Sequence, residues 1–188
     1  FIFSQPRSGS TLLQRLIAAN PQVCTTAEPW LLLPFLYVLE PEGTFSEYNN
    51  VVCRRAINDF ISQLPKQRKS YYQSLNMFIS SLYNQKMRPE HKYFLDKTPR
   101  YYLIINHIIQ SFPDSKFIFL FRNPLQIFSS VINTWHNGKL RFGEHFIDLY
   151  QGPQLLVNGY NRIKDCAIKI NYESLVDDPK IDIKKIFD

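Results

Sequence analysis

The chain has 188 residues, 45% of them apolar and 20% charged, with a formal net charge of +6. That length and balance suit one domain with one sizeable core and exclude a disordered chain. The basic excess favours an anionic partner, without choosing among nucleic acid, acidic glycan and a polyphosphate nucleotide.

Phe1–Ser4 reads as the end of a buried strand, Gln5–Gly9 as a turn, and Leu12, Leu13, Leu16 and Ile17 as one face of a helix that begins at Ser10 and stops at Asn20-Pro21. Strand, tight turn and helix in that order open an α/β unit. Residues 22–48 read as loop with a short helix, residues 51–64 and 70–87 as helices, and Lys66–Lys69 as a basic turn between them. The apolar run Trp30–Leu39 contains Pro34 and is too short to span a membrane. Tyr93–Leu95 is a short strand candidate and residues 100–111 a helix. Phe117–Phe121 is an unbroken apolar run, the pattern of a strand covered on both faces in a parallel sheet. Leu125–Thr134 returns to helical spacing, residues 138–153 include loop, Ala167–Asn171 is a last strand, and a helix closes the chain. The alternation predicts an α/β fold of three layers, a central parallel sheet flanked by helices, with its site beyond the carboxyl ends of the strands.

Cys24, Cys53 and Cys166 stand far apart with no CxxC pair, so neither a metal site nor a disulfide framework is expected, and a reducing compartment such as the cytoplasm is favoured. The chain opens at Phe1 inside an apolar segment and stops at Asp188 in a helical pattern. Residues 1–188 therefore read as a single domain trimmed at both ends, and targeting segments could lie outside it.

The first chemistry-bearing group is Pro6-Arg7-Ser8-Gly9-Ser10-Thr11, between the first strand and its helix. Amides at a helix N-terminus bind anions, Gly9 allows close approach to the backbone, and Ser10 and Thr11 add hydroxyls. The Walker A pattern is not met: Ser10 stands where its lysine would follow the glycine, and the cation, Arg7, precedes the glycine instead. A second anion site is suggested after the Phe117–Phe121 strand, where Arg122 is followed eight residues later by Ser130 on the next helix.

In these two elements the sequence resembles the PAPS-dependent sulfotransferase family, where PAPS is 3′-phosphoadenosine-5′-phosphosulfate. Pro6–Thr11 resembles that family's 5′-phosphosulfate loop, and Arg122 with Ser130 its 3′-phosphate pair. Ile170–Val176 resembles a late strand whose tyrosine, Tyr172 here, lies near the adenine. The motifs are closest to the tyrosylprotein and carbohydrate branches. The resemblance implies a P-loop-NTPase-like fold of sulfotransferase type, PAPS as sulfuryl donor with 3′,5′-adenosine bisphosphate (PAP) as product, donor binding by Arg7, Ser8, Gly9, Ser10, Thr11, Arg122, Ser130 and Tyr172, and an acceptor carrying a hydroxyl, carbohydrate or small molecule. No nucleic acid is implied as partner.

In-line sulfuryl transfer needs a base for the acceptor proton and cations for the leaving phosphate, and no metal. Arg7 is one such cation. Lys97, in Asp96-Lys97-Thr98-Pro99, is the second, because it resembles the active-site lysine of heparan-type members. Glu28 is the expected base. It stands 21 residues after Arg7, which is the spacing of the catalytic glutamate in the tyrosylprotein branch, and the apolar Trp30–Leu33 segment beside it would raise its pKa. His136, beyond the Ser130 helix, is the alternative base. Two rival readings are an ATP-dependent small-molecule kinase of related fold and a non-enzymatic nucleic-acid-binding module resting on the basic Lys66–Lys69 turn.

Overall fold

The computed structural model of the chain describes residues 1–40, 49–136, 138, 139 and 142–188. Strand β1 (Ile2–Ser4) leads through a tight turn into helix α1 (Ser10–Ile17). On α1, Leu13 and Ile17 are buried, whereas Leu12 is exposed and does not share their face. The 22–48 stretch, expected to hold only loop and a short helix, also contains a strand, β2 (Val23–Thr25). Its short helix is α2 (Leu33–Leu36), continued by a 3₁₀ turn, Tyr37–Leu39.

Helix α3 (Asn50–Ser62) starts at Asn49, whose side chain accepts from the Val52 amide. Helix α4 (Arg68–Lys86) begins inside the expected Lys66–Lys69 turn. Strand β3 (Tyr93–Leu95) is followed by a 3₁₀ turn, Pro99–Ile104, and by α5 (Ile105–Ser111), so the expected 100–111 helix changes pitch midway. Strand β4 (Phe117–Phe121) is buried over its first four residues. Asn123 and Pro124 start α6 (Pro124–Trp135), with the Asn123 side chain accepting from the Leu125 amide and proline at the position that has no use for an amide hydrogen.

The 138–153 stretch contains more than the expected loop: a 3₁₀ turn at Phe142–His145, a π-helix at Ile147–Gln151 and the start of α7 (Gly152–Ile163). Strand β5 (Ala167–Asn171) and two short helices, α8 (Tyr172–Asp177) and α9 (Pro179–Phe187), complete the chain.

The described residues divide into two compact units. The first comprises Phe1–Pro29, Glu90–Leu103 and Lys116–Asp188 and carries every strand. All its strand pairs are parallel: β1 with β4, β4 with β5, and β2 with β3. A single parallel bridge between Ile2 and Lys97 joins β1 to the residues after β3, and the Ile2 amide donates to the Asp96 carbonyl at 3.1 Å. The strand order is therefore β2-β3-β1-β4-β5. The core beneath it is Ile2, Leu13, Ile17, Val23, Leu95, Ile118, Leu120, Ile170 and Leu175. From β1 the chain crosses outward to β2, while the later connections run to the opposite edge through β4 and β5. The β1–β4 boundary is thus the switch point of the sheet, where folds of this kind open a crevice.

The second unit comprises Trp30–Pro89 and Ile104–Ser115 and is helical. Tyr72, Leu75, Ile79 and Tyr83, spaced three and four apart, form the buried stripe of α4. The Tyr72 hydroxyl is hydrogen-bonded to His107 Nδ1, and His107 Nε2 lies 3.0 Å from Glu40 Oε1.

Candidate active site

The strand register brings distant residues together. Ser4 of β1 is level with Leu120 of β4, so Arg7 and Arg122 leave the sheet side by side, and the Arg122 Nη1 donates to the Arg7 carbonyl at 2.8 Å. Phe121 of β4 is level with Asn171 of β5, so the next residues, Arg122 and Tyr172, also meet: the guanidinium lies 4.1 Å from the centre of the Tyr172 ring. In the other half of the sheet Thr25 is level with Leu95. Just beyond them Lys97 Nζ reaches Glu28 Oε1 at 2.7 Å and the Thr11 hydroxyl at 3.4 Å. Gln14 of α1 fixes the approach to Glu28 by donating to the Thr25 hydroxyl and the Thr26 carbonyl, both at 2.7 Å.

The turn after β1 is built for a helix start. The Ser8 amide and hydroxyl both donate to the Gln5 carbonyl, at 3.3 and 2.7 Å, so Ser8 closes the turn. Arg7 and Gly9 have left-handed backbones, with φ of 64° and 88°. The first helical bond runs from the Leu13 amide to the Gly9 carbonyl, and α1 has no side-chain cap. Its leading amides, those of Ser10 and Thr11 among them, therefore present the partial positive charge of a helix N-terminus. The need for glycine at 9 has a steric cause. A β-carbon there would stand 2.2 Å from Tyr172 Cε2.

Arg7 turns toward α6. Its Nε donates to the Ser130 hydroxyl at 3.1 Å, its Nη2 to the Thr134 hydroxyl at 2.9 Å, and its guanidinium lies 5.9 Å from the centre of the Trp135 ring. Ser130, read from sequence as holding a 3′-phosphate together with Arg122, accepts its hydrogen bond from Arg7, while Arg122 Nε donates to Gln126 at 3.3 Å. His136, the alternative base, is hydrogen-bonded to His145, Nε2 to Nε2, at 2.6 Å.

The sequence pattern of the sulfotransferase family matches residues 1–188. The chain belongs to the sulfotransferase family. Nodulation protein NoeE of Sinorhizobium fredii is 30% identical over 139 residues, which cover 72% of this sulfotransferase chain and 31% of NoeE. The chain therefore spans about a third of that relative's length. Two solved structures share the fold. The sulfotransferase domain from the curacin biosynthetic pathway aligns with a TM-score of 0.61 at 22% identity, covering 99% of this chain and 71% of that one. The sulfotransferase from Alicyclobacillus acidocaldarius aligns with a TM-score of 0.55 at 14% identity, covering 98% and 78%. With its central parallel sheet flanked by helices, the family chain has the P-loop-like fold of these neighbours.

Sequence reasoning missed the buried Asp148 in the π-helix, which supports the turn after β1. Tyr102 donates to its Oδ1, Arg100 to its Oδ2 at 2.8 Å, and Gln5, in the turn after β1, to its main-chain carbonyl at 2.7 Å. A lone aspartate between two glycine-containing stretches carries no local pattern that marks it as a hub. Thr134 and Trp135 were missed for the same reason: helical spacing places them on α6 without naming a partner across the sheet.

Proposed function

We propose that this chain transfers a sulfuryl group from PAPS to a hydroxyl of an acceptor, a carbohydrate or a small molecule. One observation carries the reading: the cations of Arg122 and Lys97, from two other strand ends, reach the turn and uncapped helix start after β1 through the Arg7 carbonyl and the Thr11 hydroxyl, while Arg7, in that turn, extends its own cation to Ser130 of α6. A ligand with two separated phosphate groups needs more positive charge than one glycine turn supplies. The loop residues Arg7, Ser8, Gly9, Ser10 and Thr11 are assigned to its phosphosulfate end, Arg122 and Ser130 to its 3′-phosphate, and Tyr172 to the adenine.

In this reading Glu28 takes the acceptor proton as the acceptor oxygen bonds to sulfur. The bond between sulfur and the bridging phosphate oxygen breaks, and the charge that develops on that oxygen is met by Lys97 and Arg7. Glu28 keeps one oxygen on Lys97, and its side chain, 35% exposed, stays within reach of an incoming hydroxyl. Because Lys97 also reaches Thr11 on the helix start, one ammonium links the base to the leaving-group site.

The test is calorimetric titration with PAP and with ATP, paired with a transfer assay using radiolabelled PAPS and a panel of sugar and small-alcohol acceptors. PAP is expected to bind more tightly than ATP, and label is expected to appear on a hydroxyl. Tighter binding of ATP would overturn the assignment in favour of a kinase.

A further inference from the structure

Beyond the transfer site, the end of α6 and the 3₁₀ turn at Phe142–His145 bring two imidazoles and a carboxylate together. We propose that His136, His145 and Glu144 form a binding site for a divalent transition metal of the zinc class. Each offers one ligand atom, and the three atoms lie within 4.8 Å of one another. Imidazole and carboxylate are the donors such an ion takes in three-ligand sites, where a fourth position is left to water or a ligand.

The distances suit an ion. Nitrogen and oxygen ligands about 2.0–2.1 Å from zinc in a tetrahedral site lie about 3.3 Å from each other. The observed separations bracket that value: 2.6 Å between the two Nε2 atoms, and 3.9 Å from His136 Nε2 to Glu144 Oε2. The imidazoles are nearly covered, 8% and 12% exposed, while Glu144 is 55% exposed and gives the ion a way in.

The surroundings also match what a metal-bound histidine needs. His145 Nδ1 is buried without a hydrogen-bond partner and stands 3.9 Å from Asp148 Oδ2. A small rotation of the ring would let Nδ1–H donate to that carboxylate, opening the short Nε2–Nε2 gap and leaving Nε2 unprotonated toward the ion. Carboxylate, histidine and metal in line is the usual way such a ligand is oriented. Asp148 is itself held by Tyr102 and Arg100, so the carboxylate is fixed before the ion arrives. The site would clip the end of α6, which carries the Ser130 and Thr134 partners of Arg7, to the turn that follows.

The test is titration of the untagged chain, its thiols alkylated, with zinc chloride, followed by calorimetry and by the shift in melting temperature. We expect one ion per chain with Kd of about 1 µM or tighter. His136→Ala and His145→Ala should each weaken uptake by about 100-fold and Glu144→Gln by about 10-fold, with His91→Ala unchanged. No saturable uptake, or uptake that survives both histidine substitutions, overturns the proposal. Should those variants not fold, cobalt(II) added to the unsubstituted chain decides: the intense visible absorption of a four-coordinate ion supports the site, and the pale spectrum of a six-coordinate ion overturns it.

Discussion

The ammonium of Lys97 and the carboxylate of Glu28, 69 residues apart in the chain, are joined at 2.7 Å, with Lys97 only 2% exposed. Burying a lysine without a counter-ion is costly, and Glu28 is the carboxylate that reaches it. The two roles proposed for Glu28, proton acceptor and counter-ion, can therefore be separated. Glu28→Gln is expected to slow transfer by about 10²–10⁴-fold, the usual worth of a positioned base. It is also expected to lower the unfolding free energy by about 1–3 kcal/mol, since Lys97 loses its charged partner. Steady-state kinetics and urea unfolding on the same preparation read the two effects. Unaltered turnover would remove Glu28 from the base role.

Gly9 and Tyr172 form a steric pair. Gly9→Ala is expected to cost about 1–2 kcal/mol for the left-handed backbone alone, and more because the new methyl meets the tyrosine ring. In a Tyr172→Ala background the added cost should fall toward the backbone contribution. A thermodynamic cycle from urea unfolding measures the difference. Equal costs in both backgrounds would show that the ring does not restrain the loop.

Arg122 holds the loop carbonyl and stacks on Tyr172 at once. Arg122→Ala is expected to weaken PAP binding by about 10- to 150-fold, the range for a lost charged hydrogen bond. Arg122→Lys should recover only part of this, because an ammonium lacks the planar fork that makes both contacts. Calorimetry measures both. A loss below about twofold for the alanine variant would move the 3′-phosphate elsewhere.

Tyr72, in the helical unit, has its phenol pKa raised above the ordinary 10.0, chiefly by burial. The folded state therefore holds the phenolic proton more tightly than the unfolded chain. Stability should not change on this account below pH 10, and should fall as pH rises from there toward the folded pKa. Unfolding curves across the alkaline range, compared with those of Tyr72→Phe, isolate the effect. A Tyr72→Phe chain with the same alkaline decline would assign it to another group.

Much of the fold was legible where one local signal dominates. The Phe117–Phe121 run could bury both faces only inside a sheet, and it is β4. The Asn123-Pro124 pair starts α6 by chemistry visible in two residues. Strand β2 escaped notice because three residues, Val23–Thr25, are too few to show a period, and its pairing with β3 lies 70 residues away. The 138–153 stretch read as loop because its glycines obscured helical turns of other pitch. In the site, Arg7, Glu28, Lys97, Arg122 and Tyr172 were named from motif, spacing and resemblance; the structure pairs Lys97 with Glu28, and Arg122 with the Arg7 carbonyl and the Tyr172 ring. The hydrogen bond from Arg7 to Ser130 follows from three-dimensional register, which no window of sequence encodes.

The lone bridge between Ile2 and Lys97 has a consequence for how this chain tolerates change. The lysine's place is set by main-chain pairing with the strand that also delivers the glycine turn. Side-chain replacements elsewhere can reshape what the protein accepts without disturbing the alignment of its charges. A slip of one residue at that seam would shift the main chain by about 3.3 Å and turn the lysine side chain to the opposite face, away from its carboxylate. An insertion of one residue between positions 95 and 97 should thus be more damaging than many substitutions in the helical unit.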